Sequence, residues 1–110
     1  MGAKLPQTRQ IARFALRPHA LDAAIADQLK RHLLDSLGSL VYSLTQETPR
    51  RLQRQIKMLG EGGPCAVPGI GWCALDRSAQ WLTALIRYPD FMDNFLGQEA
   101  TCHPSDNIGG

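Results

Sequence analysis

The residues best suited to chemistry lie in the last twenty-one positions, DFMDNFLGQEATCHPSDNIGG. Asp90, Asp93 and Asn94 occupy positions i, i+3 and i+4, so a turn of helix there would direct all three side chains to one side. Two carboxylates that are held close together cannot both ionise freely, and one of them can then exchange a proton near neutral pH. The spacing therefore predicts a general acid or base in this segment.

A histidine follows in the same segment, at His103, directly before Pro104 and Ser105. Pro104 favours an extended backbone at His103 and presets the first turn of a further helix. A helix N-terminus attracts anions and favours a neutral imidazole, which can both donate and accept a proton. The segment is therefore a candidate carboxylate-binding loop, and the alternative from spacing alone is an N-capping motif in which His103 is incidental.

A long helix is predicted to support this polar segment. The stretch LDAAIADQLKRHLLDSLGSLVYSL offers Asp22 as its N-cap. Gly38 lies inside this helix, where glycine is unfavourable, so we expect a neighbouring helix to approach closely there. His32 and Asp35 are spaced i and i+3, which favours a solvated pair on the helix surface. Apolar residues recur at spacings of three or four and predict a buried face made of Ile25, Leu29, Leu33, Leu37, Leu40 and Leu44.

Two of the other predicted helices are rich in arginine. The stretch PQTRQIARFAL predicts a first helix that ends near Arg17, because the residue before a proline avoids helical angles. We interpret this basic N-terminal stretch as a helix rather than as a mitochondrial presequence. The stretch TPRRLQRQIKMLG predicts a third helix with Thr48 as N-cap, Pro49 as its first residue and Gly60 beyond its end.

A fourth helix is predicted in LDRSAQWLTALIRY, with Asp76 or Ser78 as its cap and an end at Tyr88, before Pro89. Between the third and fourth helices, GEGGPCAVPGIG is a connection rich in glycine and proline, in which CAV predicts a short extended piece. The predicted fold class is therefore all-α, with four helices, this connection and a polar active-site loop.

The composition excludes several classes of protein. A chain of 110 residues with 44% hydrophobic and 20% charged residues is typical of one globular domain, and a net charge of +2 is too small to indicate a nucleic-acid partner. A membrane span is not predicted, since no run of about 18 apolar residues occurs. The three cysteines fit no zinc spacing, so no metal is predicted, and Cys102 is interpreted as a buried thiol in a reducing cytoplasm.

Three segments, in order along the chain, resemble motifs of one known family. LLDSLGSL resembles Leu-Leu-Asp-x-Leu-Gly, ALIRYPDFMDNF resembles Arg-Tyr/Trp-x-Asp-Phe-x-Asp, and CHPSDNIGG resembles His-Pro-Ser-Asp-Asn. They make residues 11–110 similar to the N-terminal part of the MmgE/PrpD family, which includes 2-methylcitrate dehydratases and cis-aconitate decarboxylases. The resemblance implies that residues 1–110 are an N-terminal fragment of a larger helical domain, without the C-terminal remainder and the α/β domain.

The resemblance also implies which residues act. Asp90 and His103 match family positions expected in the active site and are the predicted catalytic residues. Asn94, Asp93 and Ser105 are the predicted substrate-binding residues, and Asn94 stands where several members have threonine. Members act on citrate-like polycarboxylates without an iron–sulphur cluster and commonly as dimers. We therefore expect a polycarboxylate substrate, no cofactor, and either a homodimer or a separate C-terminal part as partner.

The reaction implied by the family is an elimination, in which a base takes a proton alpha to a carboxylate while an acid assists the departing hydroxyl group. In the family, the lysines that hold the substrate carboxylates lie beyond the position of Gly110, so we expect the isolated chain to be inactive. The alternative interpretation is a small helical interaction module without catalysis. The choice of polycarboxylate, and of dehydration or decarboxylation, stays open at the level of the sequence.

Overall fold

The computed structural model of the protein describes residues 6–60, 62–90 and 93–110. Within these ranges the chain is mostly helical, and two small antiparallel hairpins join the helices. The elements are α1 (Gln7–Ala15), α2 (Ala23–Ser43), α3 (Glu47–Met58), β1 (Cys65–Val67), β2 (Gly71–Cys73), α4 (Leu75–Arg87), β3 (Phe95–Leu96), β4 (Thr101–Cys102) and a short 3₁₀ helix (Pro104–Asn107).

Helix α2 begins as predicted but buries a different face. The Asp22 carboxylate accepts a hydrogen bond of 2.8 Å from the backbone N–H of Ile25, which confirms the predicted cap. The predicted apolar face is wrong for most of its length, because Ile25, Leu29, Leu33 and Leu37 are exposed, whereas Leu40 is buried and Leu44 half-buried. Helix α4 packs against α2, and the buried residues of α2 are Ser36, Ser39, Leu40 and Ser43.

The serine face of α2, which we define as Ser36, Ser39 and Ser43, explains this result. Small side chains let two helices approach closely. The buried Ser43 hydroxyl also has a hydrogen-bond partner, because it donates to the Ser39 carbonyl at 2.7 Å. The close approach expected at Gly38 is wrong, because a Cβ built at that position meets no atom within 4 Å. Close packing along α2 is therefore provided by serines.

Helices α3 and α4 both begin earlier than predicted. The N-cap of α3 is Gln46, not Thr48, so Pro49 is the third residue of the helix rather than the first. The N-cap of α4 is Ala74, not Asp76 or Ser78. Neither Gln46 nor Ala74 makes a side-chain capping hydrogen bond. Thr48 and Asp76, which were predicted as caps, instead lie in the first turn of their helices. Both ends agree with prediction, since Gly60 follows α3 with φ +110° and α4 has its C-cap at Tyr88.

The connection between α3 and α4 forms the first hairpin. The predicted extended piece is β1, and it pairs with β2, a strand that was not predicted because its three residues show no alternation of polar and apolar side chains. The indole N–H of buried Trp81 donates to the Pro68 carbonyl at 2.7 Å, which fixes the turn of the hairpin on α4. Buried hydrophobic residues from α2, α3, the hairpin and α4 form one core, made of Leu40, Ile56, Val67, Ile70, Cys73, Trp81, Leu85 and Ile86.

The N-terminal helix α1 lies outside the core. Helix α1 has no buried residue, and its apolar side chains Ile11 and Phe14 are exposed. The Cα radius of gyration is 17.4 Å, whereas a compact domain of similar length has a value of about 13 Å. Among the described residues, we found no helix that combines the length and the apolar character needed to cross a membrane.

Candidate functional site

The polar C-terminal segment contains a second hairpin, which carries the candidate catalytic histidine. Strand β3 pairs with β4, and the Gly97 N–H donates to the Ala100 carbonyl at 2.8 Å in the turn between them. The predicted helical turn at Asp93 and Asn94 is wrong, because both residues lie in irregular backbone before β3. Phe91 and Met92, which that prediction also covered, lie outside the described residues.

Asp93 is the centre of the polar contacts in this segment. Its carboxylate accepts from the His32 ring, with 2.7 Å between Oδ2 and Nδ1, and from the backbone N–H of Ser105 at 3.1 and 3.3 Å. Its backbone carbonyl lies 2.7 Å from Nδ1 of His103. The Asp93 side chain is only 6% exposed, so these protein groups replace most of its hydration. We call these four residues the Asp93 cluster.

The contact between His103 and Asp93 determines where the imidazole carries its proton. A carbonyl oxygen can only accept a hydrogen bond, so Nδ1 of His103 must donate to it. In the neutral ring the lone pair is then on Nε2. His103 is half-buried at the end of β4, and in this tautomer Nε2 can accept a proton from another molecule.

The 3₁₀ helix that follows His103 is attached to α4. The Arg87 guanidinium forms an ion pair of 2.8 Å with Asp106, and Ile108 packs against the core. Gly109 lies so close to α4 that a Cβ built on it would be 2.6 Å from the Thr83 Cα. The position of His103 is thus defined by the second hairpin on one side and by α4 on the other.

The start of the 3₁₀ helix already has an anionic neighbour. Ser105 is a predicted substrate-binding residue at this helix N-terminus, and its backbone N–H donates to the Asp93 carboxylate. The Ser105 side chain is buried, and its hydroxyl has no hydrogen-bond partner among the residues that the structure describes. Direct contact of Asp93 or Ser105 with a substrate therefore stays a prediction.

His32 is a site residue that the sequence analysis missed. The expected surface pair of His32 with Asp35 is replaced by the pair with Asp93, and the His32 side chain is only 18% exposed. The one available indication was that His32 directly precedes LLDSLG, a segment that resembles a family motif. This places His32 on α2, but nothing in the spacing of residues indicates that α2 contacts the C-terminal segment.

The remaining predicted residues are exposed at the protein surface. Asp90 and Asn94 are exposed on either side of the two residues outside the description, so both are accessible to another molecule. Cys102 is exposed rather than buried, because the two-residue strand that contains it is uncovered. In residues 6–60, 62–90 and 93–110 no group of three histidine, cysteine or acidic side chains is placed to hold a metal ion.

Comparison with known proteins supports one assignment. No curated protein and no solved structure gives a significant match to this chain. The family model of the MmgE/PrpD N-terminal domain matches residues 9–110, which is nearly the whole sequence and includes α2, α4 and the Asp93 cluster. The chain therefore belongs to the MmgE/PrpD family, as a member of its N-terminal domain.

Proposed function

We propose that this chain supplies one wall of the active site of a 2-methylcitrate dehydratase-like lyase, acting on citrate-like polycarboxylates in the cytoplasmic breakdown of propionate. The observation that carries the proposal is the His103 ring, whose Nδ1 donates to the Asp93 carbonyl. That contact leaves Nε2 as the basic nitrogen of a neutral imidazole, as a proton-transfer residue requires. Family membership supports the choice of substrate class.

The proposed reaction is an elimination of water. Nε2 of His103 takes the proton from the carbon alpha to a substrate carboxylate, and the electron pair of that C–H bond forms the new C=C bond. The C–O bond to the neighbouring hydroxyl group breaks, and that oxygen leaves as water after it receives a proton from an acid. Asp90, which is exposed and matches a family position expected in the active site, is the candidate for this acid. Decarboxylation, known in the same family, is the alternative outcome at the same residues.

The polycarboxylate also needs cationic partners, since carboxylates are best bound by charge-assisted hydrogen bonds. The nearby Arg87 is engaged with Asp106, so it is poorly placed to bind a substrate carboxylate as well. We propose that the basic groups come from polypeptide outside this chain, either a C-terminal part of the same enzyme or a second subunit. Asn94 and Ser105 are the candidates for neutral hydrogen bonds to the substrate from this wall.

Two assays test the proposal. On this proposal the 110-residue chain alone should not dehydrate 2-methylcitrate, because the opposing wall comes from other polypeptide, whereas addition of a C-terminal part of a family member should restore turnover. His103→Gln should then abolish the restored turnover, and His19→Gln, at an exposed histidine of the N-terminal region, should leave it unchanged. Turnover by the chain alone, or restored turnover that survives His103→Gln, would contradict the proposal.

A second candidate function is an interaction module without catalysis. It is favoured by one observation, the exposed apolar side chains of α2, which include Leu34, Leu37 and Val41. In this case restoration of activity would fail with every C-terminal part tried, and the chain would be a stable monomer that binds another protein through α2.

A further inference from the structure

His32 occupies an unusual place for a histidine on a long surface helix. It lies on α2, yet it reaches the C-terminal segment and contacts the Asp93 carboxylate at 2.7 Å. Its other ring nitrogen, Nε2, lies 3.0 Å from the amide nitrogen of Gln28, one turn earlier on the same helix. The side chain is therefore engaged at both nitrogens.

These two contacts specify the hydrogen-bonding roles of the His32 ring. An amide nitrogen can only donate, so Nε2 of His32 accepts from Gln28, and Nδ1 carries the proton that is donated to Asp93. Protonation of His32 would preserve the contact with Asp93, since Nδ1 donates in both forms. Rotation of the Gln28 amide would then offer its oxygen to the second N–H. The bond to Asp93 thus holds in either charge state of the ring.

Asp93 transmits this contact to His103. Its carboxylate is held from α2 by His32 and from the 3₁₀ helix by the Ser105 N–H, while its carbonyl accepts from His103. Three hydrogen bonds to one residue fix both its side chain and its backbone. The removal of His32 would leave a nearly buried carboxylate with one of its two donor groups, and Asp93 would turn toward water.

We propose that His32 is a positioning residue, which holds Asp93 so that the Asp93 carbonyl keeps His103 in the tautomer with its proton on Nδ1. The link to catalysis rests on the proposed function, in which Nε2 of His103 takes the proton. The positioning itself depends only on the contacts of the Asp93 cluster, so it can be tested without a substrate.

The experiment compares the tautomer of His103 in variants of the 110-residue chain, by the ¹⁵N chemical shifts of the ring nitrogens in NMR spectra. His32→Asn places an amide N–H near the position of Nδ1 and keeps the donor to Asp93, whereas His32→Leu has a similar size and no donor. His19→Asn is the control, because His19 is exposed and contacts Phe14 of α1. His32→Ala, which also has no donor, replaces the leucine variant in the same comparison should that variant be unfolded.

We expect the form with the proton on Nδ1 to predominate in the wild type, in His32→Asn and in the control. In His32→Leu its ratio to the other tautomer should fall by about threefold to tenfold, the equilibrium equivalent of one hydrogen bond. An unchanged ratio in the folded donor-free variant, or a fallen ratio in His32→Asn, would overturn the proposal. If the tautomer follows His32 but His103→Gln spares restored turnover, the proposed function fails and the positioning role stands.

Discussion

The carboxylate of Asp93 is occupied by hydrogen-bond donors from two other parts of the chain. The family resemblance predicts substrate contact, but the Asp93 carboxylate accepts from His32 and Ser105, and only 6% of the side chain is exposed. A carboxylate is stable in such a place only when its charge is compensated by donors. We therefore infer that Asp93 acts first on the protein, by joining α2 to the segment that contains His103.

Replacement of Asp93 measures this role. Asp93→Asn removes the charge and one acceptor from a buried group, so the free energy of unfolding should fall by about 1 to 3 kcal/mol in urea titrations. Asp106→Asn is the matched control, since its ion pair with Arg87 is partly exposed and should contribute at most about 1 kcal/mol. Equal losses in the two variants would show that Asp93 is no more important than a surface ion pair.

At the level of elements, the 3₁₀ helix depends on its contact with α4. Gly109 brings the chain directly against Thr83, and Arg87 on the same helix binds Asp106. Since His103 lies immediately before the 3₁₀ helix, a change in this contact should alter the candidate site as well as the stability. Glycine is needed at position 109 because of the close approach, whereas Gly38 on α2 has open space around it.

Two alanine substitutions should therefore have opposite effects. Gly109→Ala inserts a Cβ against the α4 backbone and should lower the free energy of unfolding by about 1 to 3 kcal/mol. Gly38→Ala adds a methyl group in open space within a helix and should raise it by about 0.5 to 1 kcal/mol. Denaturant unfolding checks both values, and a destabilised Gly38→Ala variant would contradict the open environment of that residue.

Local signals predicted some ends of elements correctly and others wrongly, and they predicted none of the contacts at the candidate site. The Asp22 cap, the end of α4 before Pro89 and the strand at CAV were correct, whereas the caps predicted for α3 and α4 were wrong, because a helix can begin without a side-chain cap. The second hairpin has strands of two residues, too short for any alternation of polar and apolar side chains. The pair of His32 with Asp93 was missed because it joins distant parts of the chain, and spacing carries no information about such contacts.

At the scale of the whole molecule, apolar side chains along α2 are left exposed to solvent. A groove of about 640 Å³ runs along this helix, lined by Arg31, Leu34, Asp35, Gly38, Ser39 and Tyr42. Leu34 and Val41 are each more than half exposed, and the molecule measures 57 Å in its longest dimension. Contiguous exposed apolar side chains are typical of surfaces that contact another protein.

We expect this exposed surface of α2 to cause self-association of the isolated chain. Light scattering of the isolated chain should give a mass that rises with concentration, and Leu34→Lys should return it to the mass of one chain, because a charge is costly to bury. Met58→Lys adds the same charge at an exposed residue of α3 and should leave association unchanged. A wild-type chain that is monodisperse and monomeric, with a sharp unfolding transition, would favour the self-sufficient interaction module.

The contact between His32 and Asp93 also determines when the candidate site can form during folding. Helix α2 and the two hairpins are built from local contacts, which form early, whereas this pair joins the first third of the chain to its last fifth and must close a long loop. We therefore expect His103 to become ordered only after α2 and the C-terminal segment have come together. In refolding experiments the site should form late, so a chain whose helices have formed would not yet have an ordered His103.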